Sequence, residues 1–288
     1  MDIANLDGWV GRTQTAQAAL LPERVDELCA TLSAETLAPS EPGQRAPLLA
    51  HWTAFPPRVG MEALGTDGHP KLGDFLPPLD LPRRMWAGGE VRFHRPVHVG
   101  ETLTKTSTLS AITRKEGRTS DMVFVTVDHE LTSEAGVLVT ERQDIVYLPM
   151  PETYQPPKPV PAIADPDVAE EVPITQTRLF RYSAVTFNAH RIHYDLPYAQ
   201  GVEKLPGLVV HGPMQATFLV QLAERAKGRA PSRLKYRSIH PMFHDDDLRL
   251  LGRWETENEL KLCTAAAQGG HIGMQATAFW PEKGEDTP

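Results

Sequence analysis

The sequence predicts an α+β protein made of two antiparallel sheet units, and three observations predict it. Each half carries strand-length segments, alternating or β-branched, separated by short polar turns. Eight prolines between Pro149 and Pro173 form a stretch long enough, when extended, to cross a sheet surface between the halves. The halves also echo one another: Phe93-His-Arg-Pro-Val97 before Gly100-Glu-Thr-Leu103 corresponds to Ile239-His-Pro-Met-Phe243 before Asp245-Asp-Asp-Leu248. An internal duplication accounts for this most simply, with domains over 1–155 and 156–288.

Taken in order, Met1–Gly11 reads as a short arm, and residues 13–35 carry a helical pattern through Leu20, Leu21, Val25, Leu28 and Leu32. From Pro39 to Gly89 glycine and proline are too dense for a long helix, so this is expected to be an ordered, irregular covering segment. Strands begin at Glu90: Val91–Val99, Thr102–Ile112, Asp121–Leu131 and Val137–Leu148, with turns at 115–118 and 133–136. After the linker, Ile174–Thr186 reads as a strand and Pro206–Gly228 contains an apolar helix. Further strands follow at Leu234–Phe243, Asp247–Trp254, Leu260–Ala267 and Ile272–Trp280. In the first half the place of that helix falls between His69 and Pro82, where Pro77, Pro78 and Pro82 forbid it. Room for a bulky acyl group is the expected consequence.

Composition narrows the function classes. A net charge of −8 and a pI near 5.8 argue against nucleic acid or an anionic membrane as the main partner. Cys29 and Cys263 are the only cysteines, with no metal spacing, which points to a reducing cytosol and a cytoplasmic protein. No apolar run approaches a membrane span, and Met1-Asp-Ile lacks the basic start of a signal peptide.

Chemistry concentrates in two stretches. In Arg181–Tyr198, RYSAVTFNAHRIHYDLPY, Thr186 or Asn188 can cap a helical turn that puts His190 and His193 on one face beside the Asn188 amide. Groups that titrate near neutrality suit proton transfer. A metal site from His190, His193 and Asp195 is the second reading, and it lacks the i,i+4 histidines with a glutamate that helical zinc sites favour. The other stretch is Gly207-Leu-Val-Val-His-Gly-Pro-Met214. There Gly212 permits close approach to the backbone and Pro213 suits the first helical turn. Its free N–H groups face an oxyanion well, and the same sequence is also an ordinary helix start.

Together the two stretches resemble the MaoC-like (R)-specific enoyl-CoA hydratases and dehydratases of the hotdog fold, whose signature Ser-Gly-Asp-x-Asn-Pro-Ile-His precedes a His-Gly helix start. On this chain the signature falls on Thr186-Phe-Asn-Ala-His-Arg-Ile-His193. The Ile-His ending matches; the family's catalytic Asp falls on Asn188 and its Asn on His190. Those departures, with Leu81-Pro-Arg-Arg-Met-Trp-Ala-Gly-Gly89, resemble the branch of mesaconyl-CoA and itaconyl-CoA hydratases and mitochondrial 3-hydroxyacyl-thioester dehydratase. The resemblance implies a double hotdog with one active site, in the second half.

It also implies reversible hydration of an enoyl-CoA, with His193 as general acid/base and the Gly212 N–H on the thioester oxygen. Asn188, which does not titrate, is expected to orient water, and His190 to assist. A short branched dicarboxylic acyl-CoA is the expected substrate, its second carboxylate gripped by Arg83, Arg84, Arg181 or Arg191. His211 lines the site, and Lys235 and Arg237 face the CoA phosphates. No cofactor or metal is expected, coenzyme A being part of the substrate, and the chain is expected to pair as a homodimer. The alternatives are a dehydratase acting on acyl-carrier-protein substrates and a thioester-binding protein without catalysis.

Overall fold

The sequence echo becomes a symmetry of hydrogen bonding. The computed structural model describes residues 6–33, 35–116 and 121–281. Its strands are β1 (Thr13–Ala19), β2 (Arg83–Phe93), β3 (Thr102–Glu116), β4 (Asp121–Ser133), β5 (Gly136–Leu148), β6 (Val168–Val172), β7 (Arg233–Ser238), β8 (Leu248–Thr256), β9 (Glu259–Ala266) and β10 (Ile272–Phe279). All ten form one sheet in the order β1-β3-β4-β5-β2-β7-β10-β9-β8-β6. Exchanging β1–β5 with β6–β10 maps that order onto itself. The two halves meet where β2 pairs antiparallel with β7, Gly88 opposite Arg237 and Arg92 opposite Arg233.

The helices are α1 (Pro22–Leu32), α2 (Gln176–Thr186), α3 (Leu196–Gly201) and α4 (Gly212–Lys227). α4 is the apolar helix read from the sequence. It buries Met214, Phe218, Leu219 and Leu222 against β7–β10 and ends on Gly228 in the left-handed region. At about 25 cal/mol per Å² of apolar surface, four such side chains contribute several kcal/mol, enough to hold the helix start in place.

Four sequence expectations are corrected. Residues 13–35 are not one helix: Thr13–Ala19 pairs with Thr102–Thr108 as an edge strand, and the helix begins only at Pro22, where a missing N–H costs nothing. Ile174–Thr186 is not a strand. Its buried residues, Leu179, Tyr182, Ser183 and Val185, recur at helical spacing, and the Thr175 side chain caps α2 by accepting from the Arg178 N–H. The third concerns β2, which starts at Arg83 rather than Glu90, so Arg83, Arg84 and Trp86 lie in the sheet. Leu234–Phe243 likewise keeps strand geometry only to Ser238. Parts of the amino-terminal arm and of the 115–118 turn lie outside the described residues.

The covering segment is ordered and irregular, as its glycines and prolines require, with short 3-10 turns at Ala50–Thr53 and Met61–Ala63. It occupies the face that a second central helix would cover. Leu48, Leu49, Ala50 and Ala54 enter the main core, while Leu72, Phe75, Leu76 and Leu79 pack on Leu109, Val125, Val127 and Tyr147. The room expected there for a bulky acyl group is taken by these side chains.

Candidate active site

The site is built where α2 ends and α4 begins. Phe187 closes α2 in the left-handed region (φ 52°), and Asn188 Oδ1 accepts the His190 N–H at 3.1 Å, which starts a 3-10 turn over Arg191–His193. The turn places the His190 and His193 rings 5.4 Å apart and nearly perpendicular. His193 Nδ1 lies 2.8 Å from the Val209 carbonyl oxygen. A carbonyl only accepts, so Nδ1 carries the proton and Nε2 presents a lone pair.

His193 also stacks on His211, centroids 3.6 Å apart, and His211 Nε2 meets Ser183 Oγ of α2 at 2.9 Å. Both imidazoles are buried. Burial, followed by the neighbouring imidazoles His211, His190 and His69, pushes His193 well below the ordinary imidazole range. Burial and then His190 bring His211 down to about 3. Both rings are therefore neutral at pH 7, and His193 is a base with a directed lone pair.

Gly212 opens α4 directly after His211 and carries one of the N–H groups that no helical carbonyl satisfies. The Trp86 ring of β2 lies across it: a Cβ on Gly212 would sit 2.6 Å from Trp86 Cε3. Trp86 stacks in turn on Tyr236, at 4.6 Å between centroids. The first half thus covers the start of α4.

That half also supplies an acidic and a basic group. The turn Gly65–His69 docks on the histidine loop, with the Arg191 N–H donating to the Asp67 carbonyl (2.9 Å) and Arg191 Nη1 to the Thr66 carbonyl (3.0 Å). Gly68 (φ +92°) makes this possible, since a Cβ there would come within 1.8 Å of the Ala189 oxygen. Asp67 Oδ2 holds His69 Nδ1 at 2.8 Å, and the His69 ring lies 4.2 Å from that of His190. Burial would raise the Asp67 carboxyl, but the hydrogen bonds and charge of His69 hold it down to about 2. Burial first, then the Arg84 guanidinium, drives His69 down to about 3.

The sequence candidates divide on this geometry. His190, His193, His211 and Gly212 come together, and the Arg84 charge on β2 acts on the neighbouring His69. Arg83 is committed to Glu203, which accepts its Nε–H at 3.1 Å and faces His190 Nε2 at 3.9 Å, beyond hydrogen-bond reach. Arg191 is committed to Asp195, itself the N-cap of α3, so Asp195 is not brought to His193 as a ligand. Arg181 is exposed on α2. Lys235 pairs with Glu90 at 3.6 Å, and both Lys235 and Arg237 point to solvent. The Asn188 oxygen serves its own turn.

Asp67, His69, Trp86, Glu203 and the Val209 carbonyl were not legible as site groups. The Gly-Thr-Asp-Gly-His sequence signals a turn, but nothing local ties position 67 to position 190.

A neutral base with a fixed lone pair and a helix-start N–H beneath an aromatic ring are parts that can add water across an enoyl thioester. Fold and site therefore define a double-hotdog hydro-lyase. A profile of the family described as hydroxyacyl-thioester dehydratase type 2 matches residues 49–244. The chain is 40% identical over 255 residues to a mesaconyl-C(4)-CoA hydratase of Chloroflexus aurantiacus, covering 88% of this chain and 90% of that one. It is 27% identical to the mitochondrial hydroxyacyl-thioester dehydratase type 2 of Schizosaccharomyces pombe, over 65% of this chain and 71% of the relative. Among solved structures, a MaoC-like dehydratase from Phytophthora capsici superposes with a TM-score of 0.72 at 12% identity, over 98% of this chain and 100% of that one. A Mycobacterium tuberculosis protein described as a double hotdog fold gives 0.56 at 11% identity, over 94% and 96% of the chains. The chain belongs to the hydroxyacyl-thioester dehydratase type 2 family of hydro-lyases.

Proposed function

We propose that this enzyme hydrates a short enoyl-CoA bearing a free carboxylate, of the mesaconyl-CoA or itaconyl-CoA type, and runs the reverse dehydration. The observation that carries the reaction is the His193 lone pair, fixed by the Val209 carbonyl beside the start of α4. His193 Nε2 takes a proton from water as the oxygen attacks the β-carbon. The electron pair moves to the thioester oxygen at the Gly212 N–H, and the proton returns from His193 to the α-carbon.

The substrate class is supported by Arg84. Among the four arginines it is the one whose charge acts on His69, and no described carboxylate forms an ion pair with it. It stands opposite Tyr147 on β5, and directly opposed residues of antiparallel strands share a face. The Tyr147 hydroxyl is buried without a hydrogen-bond partner. Two positions along β2 is Trp86 over Gly212, and such positions are ~7 Å apart on one face. That span suits a short acyl group with its thioester at Gly212 and a carboxylate at Arg84. A carboxylate beside the attacked carbon repels the incoming oxygen, and a guanidinium offsets that charge. The filled first-half face favours a short chain.

The same reading places the enzyme in the cytosol, working as a pair of chains. The two cysteines remain unpaired thiols, which supports the first part. The test is loss of enoyl-thioester absorbance with mesaconyl-CoA, itaconyl-CoA and crotonyl-CoA. Turnover of a carboxylated thioester, abolished by His193→Ala, is the expected result. Turnover of crotonyl-CoA alone removes the carboxylate, and inertness to all three removes CoA thioester hydration.

A further inference from the structure

We propose that Asp67 and His69 form a second catalytic element of this site: His69 Nε2 receives a hydrogen bond from the attacking water, and Asp67 fixes the ring in the tautomer that allows it. This rests on the hydratase reading above and adds to it a pair contributed by the first half of the chain.

Geometry carries the proposal. Asp67 Oδ2 holds His69 Nδ1 at 2.8 Å, and Asp67 Oδ1 accepts the His69 backbone N–H at 3.0 Å. A carboxylate only accepts, so the ring proton sits on Nδ1 and the lone pair on Nε2. The ring is next to His190 and within electrostatic reach of His193 and Arg84. It keeps 20% of its side chain open, where His190 keeps 5%. Gly68 and the two Arg191 hydrogen bonds fasten the turn to the loop that carries His190 and His193. A solvated surface histidine needs none of this.

The chemistry calls for such an acceptor. A water that attacks through one lone pair must have both O–H bonds directed. The first breaks, its proton passing to His193 Nε2 while the β-carbon–oxygen bond forms. The second survives into the product hydroxyl and needs an acceptor that does not take it. The Asn188 oxygen is turned to the His190 N–H. A ring held neutral by burial and by Arg84 meets that description, with Asp67 as its positioning residue. Asp67, His69 and His190 also place donor atoms within 4.8 Å of one another, as a metal site does. Against a cation stand the Nδ1 already given to Asp67 and the Arg84 charge beside the ring.

The test compares His69→Gln, which keeps an acceptor, with His69→Phe, which keeps a ring without one, and adds Asp67→Asn. Kinetics on the carboxylated enoyl-CoA and thermal unfolding are measured for each, with ¹⁵N-imidazole NMR of the full chain at pH 7. Expected are a neutral Nδ1–H ring in the wild type and kcat losses of roughly 10-fold for Gln and roughly 10²-fold for Phe, with KM within a few-fold. Asp67→Asn is expected to lose roughly 10-fold and to mix the tautomers. His69→Phe at least as active as His69→Gln makes the ring a packing group and overturns the proposal. So does a protonated or Nε2–H ring, or activity lost to a chelator and restored by Zn²⁺. A wild type inert to every enoyl thioester overturns the hydratase reading instead, before any variant is made.

Discussion

His193 shows how much one hydrogen bond decides. Either nitrogen of a neutral ring can carry the proton until the Val209 carbonyl selects Nδ1 as donor and leaves the lone pair on Nε2. Because burial holds the ring neutral, kcat/KM is expected to stay level from pH 8 down through the ordinary imidazole value near 6.5. A pH–rate profile with its acid limb at 6.5 contradicts this. His193→Ala is expected to lose roughly 10²–10⁴-fold in kcat, the usual cost of a general base. Arg84 is tested separately with Arg84→Met, which keeps the stem and removes the charge. The preference for a carboxylated thioester over its methyl analogue is expected to fall by roughly 10²-fold, since truncating one partner of a desolvated ion pair costs ~3 kcal/mol. An equal loss on both substrates returns Arg84 to a structural role.

At the scale of elements, the informative one is the Gly65–His69 turn, because it belongs to one half of the chain and works in the other. Gly68→Ala is expected to lift the turn off Ala189: the new Cβ has no space, and a positive φ is strained for alanine, at ~1–3 kcal/mol. Activity should fall at least 10-fold while the far-ultraviolet spectrum stays that of the wild type, since the clash is with the loop backbone at Ala189 and with no strand. Full activity in Gly68→Ala shows that the turn need not dock. α2 has a comparable role through Ser183, which supports His211 from behind. Both contacts escaped a reading of the sequence for the same reason. The apolar run of α2 has the pattern of a strand and the turn that of a covering segment, since local pattern reports burial and not the neighbour that provides it.

Across the whole molecule the buried histidines set the response to acid. His69 and His211, each held near 3, and His193, also lowered, stay neutral in the fold but protonate near 6.5 when unfolded. The unfolded state therefore binds more protons below 6.5, and stability falls as pH falls, by ~1.4 kcal/mol per pH unit for each histidine, until the folded values are reached. Asp67 and Glu141, both held near 2, add loss in the same direction below about pH 4. Urea unfolding at pH 7.5, 6.5, 5.5 and 4.5 is expected to give a midpoint that drops steadily from 6.5 downward. A midpoint level to pH 5 shows that these rings are not held neutral.

A family resemblance pointed to His193 and Gly212, while the sequence by itself determined the duplicated antiparallel plan, the apolar helix and the missing helix of the first half. Each of these three is written in short-range terms: a period of two or 3.6 residues, or a proline. The echo between halves needs only side-by-side comparison, and it returned as the mirrored strand order. Tertiary structure alone decided that Trp86 lies over Gly212, that Asp67 and His69 stand beside His190, and that Arg83 pairs with Glu203. Those contacts join residues more than a hundred positions apart. They are set by the β2–β7 junction and by the packing of the covering segment, and no local pattern of residue types encodes where two such surfaces meet.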